Sequence, residues 1–141
     1  MATTRTSTTH WEGSLKEGAG SVSLDSSGIG TYDVTWASRA EDANGKTSPE
    51  ELIAAAHSAC FSMALSLGLA GAGAPPQSLD TRADVTFQPG EGITGVHLTV
   101  VGSVEGLSAE DFASAAEAAK KNCPVSQALT GTTITLEASL A

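Results

Sequence analysis

The chain has little of what would tie it to a nucleic acid, a membrane or a disulfide scaffold. Basic residues are scarce: seven Lys and Arg stand against sixteen Asp and Glu, a net charge of −9. Nucleic acid and anionic lipid both demand a surplus of cations, so neither is an expected partner. Aromatics make up only 4% of the 141 residues, so a core has to be assembled mostly from Ala, Val, Leu and Ile. Two cysteines are too few for a stapled fold, and a chain of this length can bury a core without staples. An uninterrupted apolar run is missing as well. The longest apolar stretch, Leu52 to Ala74, is broken by His57, Ser58, Cys60, Ser62, Ser66 and several glycines, so it reads as a buried helix rather than a membrane span. Met1 to His10 is rich in Thr and Ser and lacks the apolar core of a secretory signal. A cytoplasmic address follows as the expectation, and there a cysteine pair more often serves catalysis or metal binding than a stable bridge.

What is present fits one domain over residues 1–141, of α+β class. Val22 with Leu24, and Tyr32 with Val34 and Trp36, alternate as strands do, with Ser27-Gly28 as a turn. Ser38 to Thr47 is polar and holds the turn signal Asn44-Gly45. A helix then opens on Ser48-Pro49-Glu50-Glu51. Ser48 suits the N-cap, Pro49 the first helical position, and Glu51 completes a capping box. The helix is predicted to end near Leu69 or Ala70, before Gly71, Gly73 and Pro75-Pro76. It is apolar nearly all round and is expected to be central and buried on several sides. Strands are predicted at Thr81 to Phe87, Ile93 to Val104 and Thr132 to Leu140, with a hairpin loop over Gln88 to Gly92. Between the last two strands lies a helix, Ala109 to Lys121, capped by Ser108, and a short helical piece after Cys123-Pro124.

The cysteines sit in contrasting settings. Cys60 lies deep in the central helix, with Ile53, Ala56, His57, Met63, Ala64 and Leu67 near its face. Burial there raises a thiol's pKa, so Cys60 is either a small core residue or a nucleophile that needs a cation. Cys123 precedes Pro124 at the start of a helical turn, a position that favours thiolate, or else it is simply a loop cysteine. Arg39 is either a surface residue or the cation that serves Cys60. In the second case it needs a carboxylate, and the capping box leaves Glu50 for that role. Lys46, Arg82 and Arg5 are the other candidate cations. A different class of reading makes His57 and Cys60, with Cys123 and His97 or His10, a structural zinc site. A further one makes the chain a ligand-binding or structural dimer whose cysteines are core residues.

The stretch Ser48-Pro49-Glu50-Glu51-Leu52-Ile53-Ala54-Ala55-Ala56-His57-Ser58-Ala59-Cys60-Phe61-Ser62-Met63-Ala64-Leu65-Ser66 strongly resembles the first signature of the OsmC/Ohr family of osmotically inducible and organic hydroperoxide resistance proteins. Asn122-Cys123-Pro124-Val125-Ser126-Gln127-Ala128-Leu129 resembles the second, and His10-Trp11-Glu12-Gly13 resembles the OsmC branch. His57, where the Ohr branch usually has Tyr, points to the same branch. The resemblance implies an intertwined homodimer with a strongly curved antiparallel sheet around central buried helices. It implies a thiol peroxidase, without a cofactor or metal, that prefers organic hydroperoxides to hydrogen peroxide. In it Cys60 becomes a sulfenic acid, Cys123 resolves it as a disulfide, and Arg39 and Glu50 complete the site. An external dithiol, lipoyl-type in the Ohr branch, restores the thiols.

Overall fold

Short runs of alternating residues near the N-terminus pair into an antiparallel sheet of order β1-β2-β3, formed by β1 (Thr8–Glu12), β2 (Ala19–Ser23) and β3 (Thr31–Val34). β1 has no apolar alternation and all five of its residues are exposed, which is why its sequence does not announce a strand. The computed structural model describes Met1–Ala141, in two units, Met1–Leu52 and Ile53–Ala141.

In the first unit the strand read through Tyr32, Val34 and Trp36 stops at Val34. Trp36 instead opens a short helix, α1 (Trp36–Ala40). Thr35 overrides the alternation: its Oγ1 accepts from the Ser38 N–H at 3.0 Å, and the Ser38 hydroxyl oxygen accepts from the Thr35 N–H at 3.0 Å. The polar segment read as loop therefore contributes a helical turn before Asn44 and Gly45 make the expected turn, both with positive φ. The next helix, α2 (Pro49–Gly71), starts where the capping residues place it. Ser48 Oγ accepts from the Glu51 N–H at 3.1 Å, but the Glu51 carboxylate takes the Thr47 hydroxyl at 2.6 Å, so only half of the capping box forms.

In the second unit α2 reaches Gly71 and is closed by Gly73 in the left-handed region, with the Ala74 N–H on the Leu69 carbonyl at 2.9 Å. β4 (Ser78–Gln88) and β5 (Gly92–Ser103) form a long antiparallel hairpin, and β6 (Thr133–Leu140) pairs with β5 in parallel. The expectation of an antiparallel sheet is corrected at this pair. The chain leaves β5, passes through α3 (Ala109–Asn122) and α4 (Pro124–Ala128), and returns in the same direction, as a crossover requires. The α+β class stands, with two three-stranded sheets and a central helix.

The core of this unit brings Phe61, Leu65 and Leu69 of α2 against Val96, Leu98 and Val100 of β5 and Phe112, Ala116 and Ala119 of α3. Length and composition alone would let α2 cross a bilayer, yet its stripe of His57, Phe61, Leu65 and Leu69 is buried in protein. The expectation of burial on several sides is not met within one chain, because Met63 and Leu67 are 72% and 77% exposed. Gly102 of β5 marks the tightest approach: a Cβ there would lie 2.6 Å from the buried ring of Phe112. Gly102→Ala is expected to lower stability by about 1–3 kcal/mol through overpacking, read as a lower urea midpoint at unchanged m-value.

Candidate active site

Two constellations of reactive side chains occur, one in each unit. In the first, α1 and the start of α2 bring Arg39 to Glu50. Arg39 Nε donates to Glu50 Oε1 and Oε2 at 3.1 Å each, and Nη2 donates to Oε2 at 2.9 Å. The Glu50 side chain is 8% exposed and that of Arg39 30%, so the pair is fixed in a forked geometry and sheltered from water. The pairing is the expected one, although the Glu51 carboxylate turns to Thr47 and not to the Ser48 N–H. The same unit holds an apolar hollow against Arg39, lined by Trp11, Leu15, Val22, Trp36 and Leu52. Lys46, Arg82 and Arg5 stand elsewhere. Lys46 lies in the turn after Asn44-Gly45, Arg82 is locked onto Asp84 at 2.8 Å on the surface, and Arg5 lies in the exposed N-terminal segment.

The second constellation joins the cysteines. Cys60 on α2 and Cys123, between α3 and α4, are both free thiols, close enough that each alters the ionisation of the other. Their burial reverses the sequence expectation. Cys123 has no exposed surface, whereas Cys60 is only partly buried. The reason lies in the helix period: His57, Phe61 and Leu65 form the stripe that faces the core, and Cys60 is rotated off it onto the flank. Beside Cys60 runs an apolar groove of about 620 Å³, walled by Met63, Ala64, Leu67, Ala115, Ala118 and Pro124.

The pair is electrically asymmetric. Burial pushes the Cys60 thiol up, and its hydrogen bond to Cys123 adds to this, against a smaller opposing effect of the Val125 N–H. Cys123 is also pushed up by burial, but the Ser126 N–H, the Cys60 thiol, the Ser126 hydroxyl and the Val125 N–H together outweigh that and hold it below the ordinary thiol value. The sulfur makes no side-chain cap hydrogen bond, although it stands at the N-terminal end of α4. The two thiols are thus displaced in opposite directions, Cys60 upward and Cys123 downward. No cation contributes to the ionisation of Cys60 in this setting.

His57 and Ser126 complete the surroundings of Cys123. His57 Nε2 and Ser126 Oγ are 2.7 Å apart and both residues are buried. The partner of His57 could not be read from spacing, since sixty-nine residues separate the two. Ser126 has a sequence signal only in hindsight, as the residue three after Cys123 at a helix start, where side chains turn back toward the cap. No group of three or more His, Cys, Asp or Glu side chains is arranged to hold a metal ion, and His97 and His10 pair instead with Glu137 and Glu12 on the surface.

The profile of the OsmC-like protein family matches residues 41–137. The peroxiredoxin OsmC of Escherichia coli strain K12 is 46% identical over 123 residues, which cover 85% of each chain. Among solved structures, an organic hydroperoxide resistance protein from Elizabethkingia anophelis superposes with a TM-score of 0.70 at 26% identity over the full length of both chains. An OsmC-like protein from Mycoplasma pneumoniae gives 0.74 at 15% identity, over 100% of this chain and 99% of its own, and shows likeness of fold.

Proposed function

This chain belongs to the OsmC family and is a cysteine-based peroxidase, and we propose that it reduces organic hydroperoxides in preference to hydrogen peroxide, as a homodimer in the cytoplasm. The observation that carries this reading is the contact between Cys60 and Cys123 at the edge of an apolar groove. In the first step the Cys60 thiolate attacks one peroxide oxygen. An S–O bond forms, the O–O bond breaks, and the departing alkoxide takes a proton and leaves as the alcohol. In the second, the Cys123 thiolate attacks the Cys60 sulfur. The S–S bond forms and hydroxide leaves as water. An external dithiol then returns both thiols by exchange.

Each residue has a reason for its place in this scheme. Cys60 is the more accessible sulfur and adjoins the groove, so a bulky hydroperoxide reaches it first. Cys123 is held below the ordinary thiol value by the polar groups of Ser126 and Val125 and by Cys60, and it lies against Cys60, where a resolving thiol must be. Cys60 requires a cation that its own surroundings lack, and Arg39, held by Glu50, is the one assigned to it. The homodimer is supported by Met63 and Leu67, apolar side chains that a single chain leaves in water.

Rapid mixing of the reduced protein with cumene hydroperoxide and with hydrogen peroxide tests the substrate preference. Oxidation by the alkyl compound is expected to be roughly tenfold faster or more, the scale that an apolar pocket contributes for a few methylene groups. Equal rate constants would remove the preference.

A further inference from the structure

The groove beside Cys60 holds a second sulfur that the scheme above does not use. The walls that α2 and α3 give the groove are mostly small residues. Ala64 and Gly68 of α2, with Ala115, Ala118 and Ala119 of α3, leave about 620 Å³ open. Met63 stands three residues after Cys60, one turn further along α2, and lines the same space. It is 72% exposed, although its side chain is apolar. The two sulfurs differ in what they need in order to react. A thiol must first lose its proton, and Cys60 needs a cation for that. A thioether carries no proton and attacks a peroxide oxygen as it stands. A second copy that covers the outer side of Met63 does not shield it from the groove, because an alkyl hydroperoxide on its way to Cys60 occupies that same space.

We propose that Met63 is a second site of oxidation in the groove: an organic hydroperoxide lying there converts it to methionine sulfoxide, and the sulfoxide in turn weakens the preference for organic hydroperoxides. The groove as the seat of the hydroperoxide rests on the peroxidase reading. The Met63 sulfur attacks one peroxide oxygen with its lone pair. An S–O bond forms, the O–O bond breaks, and the hydroperoxide proton passes to the departing oxygen, which leaves as the alcohol. The sulfur is oxidised by two electrons and the peroxide is reduced by two. A flexible apolar side chain is thereby exchanged for a polar one. Asn122 is the one amide side chain that lines the groove, so the sulfoxide oxygen holds water in a space otherwise walled by Ala, Leu, Gly and Pro. An alkyl chain then gains less by entering. The change outlasts the peroxidase cycle, because methionine sulfoxide reductases reverse it and thiol–disulfide exchange does not.

The first test uses Cys60→Ser, in which no thiol at that position intercepts the oxidant, with N-acetylmethionine amide in the same solution as a free thioether. Met1 is the only other methionine, so peptide mapping by mass spectrometry assigns the added oxygen. The oxidation of Met63 relative to the free thioether is expected to be roughly tenfold or more greater with cumene hydroperoxide than with hydrogen peroxide, the scale of a few methylene groups in an apolar pocket. A double ratio near one overturns the proposal. The second test follows the two-cysteine protein through exposure to excess cumene hydroperoxide and re-reduction by dithiothreitol. The ratio of its rate constants for cumene hydroperoxide and hydrogen peroxide is expected to fall severalfold from its starting value. Treatment with methionine sulfoxide reductases is expected to restore that ratio, and Met63→Leu, compared with its own starting ratio, is expected to hold it. An equal fall in Met63→Leu, or a parent ratio that survives full oxidation of Met63, overturns the proposal too. Failure of the peroxidase reading is distinct, and shows as turnover retained by Cys60→Ser.

Discussion

Cys60→Ser is expected to reduce hydroperoxide consumption to the uncatalysed background. A serine hydroxyl in the same place does not ionise near neutral pH and has none of the softness of sulfur toward a peroxide O–O bond. Met63, the other sulfur at the groove, can only be oxidised to a sulfoxide that an external dithiol does not turn over in a thiol–disulfide cycle, so it does not replace Cys60. Cys123→Ser separates the two halves of the cycle. It is expected to consume one equivalent of cumene hydroperoxide per chain and then stop with Cys60 held as the sulfenic acid. Mass spectrometry of the intact protein, showing a gain of one oxygen, checks this. Sustained turnover by Cys60→Ser would falsify the assignment of the nucleophile.

The second large effect is expected at Arg39. Burial raises the Cys60 thiol and nothing in its own unit counters that with a positive charge. Arg39→Ala is therefore expected to slow oxidation of Cys60 by roughly 10²- to 10³-fold, the scale of losing one fixed electrostatic stabiliser. The sign with pH follows directly. Under the role proposed for Arg39, removing it raises the pKa of the attacking thiol, so the rate against pH is expected to move to higher pH and part of the deficit to return in alkaline buffer. Arg39→Ala also leaves Glu50 as a buried carboxylate without its partner. The expected loss of stability is about 2–4 kcal/mol, at the lower end for a broken buried pair because Arg39 is partly open to water. The double variant Arg39→Ala with Glu50→Gln is expected to recover part of the stability and none of the rate. Unchanged oxidation kinetics in the folded double variant would transfer the role to another cation.

Local chemistry made much of the architecture legible. Ser48 and Pro49 announce the start of α2, Gly73 its end, and Ser108 the start of α3, because caps and left-handed turns are decided by a few adjacent residues. The alternation of Val96, Leu98 and Val100 announced β5, since a half-buried strand must carry it. The elements that escaped are those in which a local signal was weak or overruled. β1 carries no apolar alternation, and α1 exists because Thr35 and Ser38 cap each other across what alternation marks as strand.

At the site, the sequence by itself named the candidates: two cysteines, an arginine and the Glu50 carboxylate. Those are matters of residue type and short spacing. Only the tertiary structure decided which of the two thiols is the buried one. Helical rotation turned Cys60 off the buried stripe, and the turn at Pro124 closed over Cys123, so the sulfur expected at a helix cap is the buried one. Packing also brought His57 to Ser126 across the fold. Such choices depend on angles accumulated along a helix and on contacts between residues distant in the chain, and no local pattern encodes them.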